Sequence, residues 1–219
     1  MDRKLYSPLV GAVAALALVV MPVRAQIVAN GLPDGGSGNE MTNWIQAEDF
    51  TLAGTATLTA ARFWGVGINN GYLGSIYWRI FADAAGSPGS VLAGGEVTPT
   101  ATAYPGAICC GFASGLQFDF ALPNVLLGAG VYWFGVHNGP LSSTNRNEFY
   151  WATTSDNATM NGHEDVAPFG DGSWFDNGEE HAFQLYAGDS ETVPEPATMT
   201  LLATGLAGMA AARRKKRNS

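Results

Sequence analysis

The chain has 219 residues, is 47% hydrophobic and carries a formal net charge of −8, a length that accommodates one domain with a real core plus appendages. Between residues 26 and 193 only Arg62, Arg79 and Arg146 face seventeen Asp and Glu, lysine is absent, and the net charge is −14. So acidic a surface repels nucleic-acid phosphates and anionic lipid headgroups, which excludes both as partners of this region; it fits a secreted protein kept soluble by repulsion, with divalent cations able to bridge some carboxylates.

The chain opens with Arg3 and Lys4, an apolar run over 9–21, and then Val23-Arg24-Ala25, which puts small residues at the two positions a leader peptidase reads. Residues 1–25 therefore read as a secretory signal peptide cut by signal peptidase after Ala25. An uncleaved membrane anchor is the alternative, disfavoured because the run is short and no stop-transfer charges follow it.

Residues 26–192 read as one ectodomain, and its pattern is strand-like almost throughout. Ile76, Trp78 and Ile80 alternate with Tyr77, Arg79 and Phe81; Leu116, Phe118 and Phe120 alternate with Gln117, Asp119 and Ala121; residues 131–136 are apolar on both faces. Further strands are expected over 47–52, 58–68, 91–98, 149–153 and 182–187. Asn69-Asn70-Gly71, Gly86-Ser87-Pro88-Gly89 and Asn138-Gly139-Pro140 lie between strands as turn formers. No segment shows a convincing amphipathic helix. Many short strands separated by turn signals predict an all-β fold, an antiparallel, jelly-roll-like β-sandwich.

Cys109 and Cys110 are the only cysteines. Adjacent Cα atoms lie about 3.8 Å apart, below the usual disulfide range, so a vicinal bridge would need a strained eight-membered ring. That bridge, an intermolecular one and two free thiols all stay open. Further on, residues 156–180 are acidic and glycine-rich, and Asp171, Asp176 and Glu179 are candidate ligands for calcium, a cation that wants six to eight oxygens. The spacing is not that of an EF-hand, and the competing reading is a solvated acidic loop. No other cofactor is expected.

Six tryptophans, Trp44, Trp64, Trp78, Trp133, Trp151 and Trp174, are many for this length. Most are expected in the core, with Trp174, set among turn residues, the best candidate for an exposed ring that stacks on sugar. His137, His163 and His181 are too scattered for a catalytic triad or a zinc site, and HExxH, GxSxG and paired CxxC motifs are absent. A glycosidase would need two carboxylates roughly 5 to 10 Å apart across a cleft. Nothing in the pattern singles out such a pair, so the chain reads as a non-enzyme.

The C-terminal segment 193–219 has three parts. Val193-Pro194-Glu195-Pro196 comes first; two prolines with one residue between them hold it extended and accessible. Residues 197–212 then form an apolar run that as a helix would be about 24 Å long, a short transmembrane span. Thr198, Thr200, Thr204, Gly205 and Gly208 keep it weakly hydrophobic, which suits a temporary anchor. Arg213, Arg214, Lys215, Lys216 and Arg217 close the chain as a basic stop-transfer cluster that stays in the cytoplasm while the ectodomain lies outside.

This order of motif, span and basic tail resembles the PEP-CTERM sorting signal of Gram-negative bacteria. The resemblance implies recognition by an exosortase, a membrane-embedded cysteine transpeptidase-like enzyme, with Pro194, Glu195 and Pro196 as substrate positions. It also implies transient anchoring in the inner membrane, then release or transfer of the ectodomain to the cell surface or exopolysaccharide matrix. A looser resemblance, carried by Glu48-Asp49-Phe50-Thr51-Leu52, Arg62-Phe63-Trp64-Gly65, Ile80-Phe81-Ala82-Asp83, Tyr132-Trp133, Tyr150-Trp151-Ala152-Thr153 and Ala182-Phe183-Gln184-Leu185-Tyr186, links 26–192 to the β-sandwich ectodomains often attached to such tails. It carries no catalytic pattern. The reading that follows is an exported structural or adhesive matrix protein, with a carbohydrate-binding module and then a secreted hydrolase as alternatives; only the terminal segments meet a membrane.

Overall fold

The computed structural model describes residues 25–68, 71–111, 115–155, 160–166, 169 and 173–188. The expected signal peptide, apart from its last residue Ala25, and the sorting segment 193–219 lie outside them. The described residues hold thirteen strands and no helix: β1 (Ala25–Ala29), β2 (Gly38–Glu40), β3 (Trp44–Leu52), β4 (Ala56–Gly67), β5 (Ile76–Asp83), β6 (Pro88–Val97), β7 (Thr100–Tyr104), β8 (Gly115–Leu127), β9 (Gly130–Asn138), β10 (Phe149–Ala152), β11 (His163–Val166), β12 (Phe175–Asp176) and β13 (Phe183–Ala187). They form two antiparallel sheets, consistent with a β-sandwich.

The first sheet is built around the long β4. Along one edge β4 pairs with β8, which pairs with β7. Along the other it pairs first with β13 and then with β10, and these carry β1 and β2 respectively. The second sheet runs β12-β11-β3-β9-β5-β6. Because successive side chains in a strand point to opposite faces, one face of each sheet meets the other sheet. Phe63, Phe118, Trp151 and Phe183 of the first sheet and Ile80, Phe134 and Val136 of the second are buried in a common cluster. Phe134 makes the join, with its ring centroid 5.4 Å from that of Phe183 and 5.9 Å from that of Trp151.

Each sheet also buries part of its outer face. Trp64, Val66, Ile108 and Cys109 pack together on one side, and Ile45, Ala47, Phe81 and Trp133 on the other, with Met160, Phe169 and Trp174 against the latter group. Two of the expected turns are tighter than anticipated. Pro88-Gly89 already belongs to β6, and Asn138 ends β9 fully buried. Asn138 is tolerated there because its side chain donates to Thr42 Oγ1 and the Gly71 carbonyl, both at 2.8 Å, and accepts from the Leu73 N–H.

Candidate functional site

The two ends of the ectodomain meet. In the β1/β13 ladder Ala25 stands opposite Ala187, so the first and last described strands pair at one edge of the first sheet. Pro194, Glu195, Pro196 and the basic cluster Arg213 to Arg217 lie outside the described residues, as does the expected helix over 197–212. Among the described residues no helix is long and apolar enough to cross a membrane.

Both cysteines are free thiols, Cys109 buried and Cys110 exposed, with the sulfurs 2.6 Å apart. Cys110 adopts a left-handed backbone (φ 58°). Burial, reinforced by its neighbour, pushes the Cys109 thiol far up, so it is protonated and a poor nucleophile. Of the candidate calcium ligands, Asp171 lies outside the described residues. Asp176 accepts hydrogen bonds from Asn161 Nδ2 at 3.1 Å and from the Gly178 N–H at 2.8 Å. Among the described residues no three His, Cys, Asp or Glu side chains converge closely enough to share a metal ion.

Four tryptophans, Trp64, Trp78, Trp133 and Trp151, are buried as expected. Trp174 is half-buried rather than open, edge-on to Phe81 with centroids 5.2 Å apart. It lies on the second sheet's outer face, where Phe81 and Trp133 supply apolar surface.

Two groups of polar residues escaped the sequence reading. Inside the sandwich, the fully buried Glu48 and His181 meet: Glu48 Oε2 accepts the His181 backbone N–H at 2.8 Å and lies 2.8 Å from ring Nδ1. The other ring nitrogen is 3.1 Å from Asn39 Oδ1. Burial raises Glu48 well above its ordinary 4.5 and lowers His181 to about 3. The pair therefore holds one shared proton, with Glu48 donating to Nδ1 while Nε2–H donates to Asn39. Elsewhere on the second sheet, buried His137 contacts the Thr42 and Gly139 carbonyls at 2.8 and 3.0 Å, and burial lowers its pKa too. Both histidines are sealed from solvent.

The second group is on the surface. Among the described residues Arg62 is paired with Asp119 and Arg146 with Glu148, at 2.7 and 2.9 Å. Among the described residues Arg79 has no carboxylate partner; its guanidinium carbon lies 5.5 Å from the Tyr77 ring centroid and 5.9 Å from that of Phe81.

Residues 192–216 match the PEP-CTERM protein-sorting motif. The chain carries a PEP-CTERM sorting signal. No curated protein matches the chain. The PEP-CTERM signal implies an exported protein with a C-terminal membrane-anchored sorting segment, processed by an exosortase. Its match begins four residues beyond the last described residue, Gly188.

Proposed function

We propose that this protein is a structural or adhesive component of the cell surface or exopolysaccharide matrix, delivered there when an exosortase acts at Pro194-Glu195-Pro196. The observation that carries the reading is the sorting motif over residues 192–216, which follows in sequence the last described strand of a domain with a main core between its sheets. Signal peptidase acts first at Ala25, the inner membrane holds the chain for a time, and the ectodomain then works outside the cell by packing and binding. Its acidity keeps copies apart and soluble until they reach the matrix.

A non-catalytic role is supported by what its acids do. Glu48 and Asp165 are sealed from solvent. The cleft of about 490 Å³ beside β8 contains the carboxylate of Asp119, which is tied to Arg62. Carbohydrate binding is the second reading, favoured by the aromatic and cationic side chains on the outer face of the second sheet.

The test is the intact mass of the protein recovered from outside the cell, beside a variant with Pro194, Glu195 and Pro196 changed to alanine. We expect a species lacking both the leader and the basic tail, lost in the variant. An extracellular or surface form that keeps Arg213 to Ser219 would mean a permanent anchor and end the sorting reading.

A further inference from the structure

The outer face of the second sheet presents, on two neighbouring strands, a cation, a carboxylate and an aromatic ring. On β5, Tyr77, Arg79 and Phe81 alternate with the buried Ile76, Trp78 and Ile80 and so share the outward face. Across the ladder Tyr77 stands opposite Glu96 of β6, and Arg79 is flanked by glycine on both sides, Gly94 of β6 and Gly135 of β9. Both glycines are required by close approach. A Cβ on Gly94 would lie 2.9 Å from the Trp78 carbonyl oxygen and 3.1 Å from Arg79 Cγ, and one on Gly135 would lie 2.7 Å from the Phe81 ring. The flanking strands thus leave the Arg79 stem lying along the sheet.

The polar groups here are unevenly engaged. Ser75 Oγ donates to Glu96 Oε1 at 2.5 Å, leaving the second carboxylate oxygen to accept from elsewhere. Arg79 rests on two rings, and among the described residues neither a hydrogen bond nor an ion pair uses its five N–H donors. In a region with seventeen carboxylates and three arginines, one arginine held away from every described carboxylate is a donor fork open to an outside acceptor.

We propose that Tyr77, Arg79 and Glu96 form a subsite for an uncharged, hydroxyl-rich polysaccharide. A sugar ring supplies both hydrogen-bonding roles at once: its hydroxyl oxygens accept from Arg79 and its hydroxyl protons go to Glu96, while its C–H face lies against Tyr77. A polyanionic glycan meets Glu96 at short range and the net charge of −14 at long range, so the neutral class is the one that fits. This inference rests on the proposed delivery to a polysaccharide-rich exterior, but its test is independent of sorting.

The full-length chain, purified from membranes, is run by affinity electrophoresis in gels containing a soluble β-glucan, a galactomannan or dextran, with alginate as the polyanion. Retardation is expected in at least one neutral polymer. Arg79→Ala should weaken it about tenfold and Glu96→Gln about threefold, as hydrogen bonds to charged groups are lost. Glu96 is exposed, so Glu96→Gln leaves the fold intact and decides the matter if Arg79→Ala lowers the melting temperature. No retardation in any neutral polymer, retardation in alginate alone, or equal retardation of wild type and both variants overturns the subsite. None of these outcomes bears on the intact-mass result, which tests sorting by itself.

Discussion

Strand β3 builds its two halves by opposite rules. Toward its end Phe50 and Leu52 enter the sandwich and pack in the main cluster with Leu58, Phe183 and Leu185. Toward its start Gln46 and Glu48 point to the same interior and are equally buried, yet they meet polar partners: Gln46 donates to the Glu40 carbonyl at 2.8 Å, and Glu48 holds His181. The apolar half gains from contact area, which is tolerant of shape. The polar half depends on pairing, which is not.

The largest expected effect breaks the polar half. Glu48→Leu fills much the same space but leaves His181 Nδ1 without its donor and the His181 backbone N–H without its acceptor in a sealed site, at a cost of about 3–5 kcal/mol. Phe50→Leu, a comparable apolar exchange, should cost less than about 1.5 kcal/mol. Urea unfolding midpoints of the two variants test the contrast; equal losses would show that the interior does not distinguish its two ends.

The next effect is on pH. Folded, the Glu48–His181 pair keeps one proton across the range between the lowered His181 pKa of about 3 and the raised Glu48 pKa. Unfolded, at ordinary values of 4.5 and 6.5, the same two groups bind two protons below pH 4.5, one in between and none above 6.5. Below 4.5 the unfolded state binds more protons, so stability rises with pH; above 6.5 it binds fewer, so stability falls until Glu48 loses its proton. The pair's contribution is therefore greatest between pH 4.5 and 6.5, with flanks approaching about 1.4 kcal/mol per pH unit. Glu48→Gln, which does not titrate, should flatten the alkaline flank in denaturation series across pH. An unchanged flank would mean that Glu48 is not the group responsible.

The apolar half of this contrast was legible in the sequence and the polar half was not. Alternation in β5 and β8 placed Ile80, Phe118 and Phe120 in the core because period two records one buried face. In β3 the apolar residues change phase, from Ile45 and Ala47 to Phe50 and Leu52, since both of its faces are covered. Burial of Glu48 depends on His181, 133 residues away, and no local pattern encodes that pairing. The unforeseen strands β1, β2, β7, β11 and β12 are short or polar and owe their form to the neighbour they pair with; His-Glu-Asp-Val of β11 reads as loop until β3 lies beside it. The outward face of Tyr77 and Arg79 was readable. The glycines beside Arg79 were not, because cross-strand register is tertiary. The sorting signal, by contrast, is a contiguous motif, and its match over residues 192–216 was readable from the sequence.

The smallest effect marks the outer limit of the contrast between packing and pairing. On the outer face of the first sheet Arg62 lies between Asp119 and Gln184 on its two neighbouring strands, 2.7 Å from the Asp119 carboxylate and stacked 5.6 Å from the Tyr186 ring centroid. This resembles the Glu48–His181 pair in chemistry, but its side chains are 31% and 33% exposed, so water screens the attraction and re-solvates either partner when the other is removed. Asp119→Asn should therefore cost under about 1 kcal/mol, and less in high salt, with the Arg62 stem still covering Tyr186. Thermal unfolding at low and high ionic strength measures both quantities. A loss as large as that of Glu48→Leu would show that pairing, and not its burial, sets the cost of breaking a polar contact in this fold.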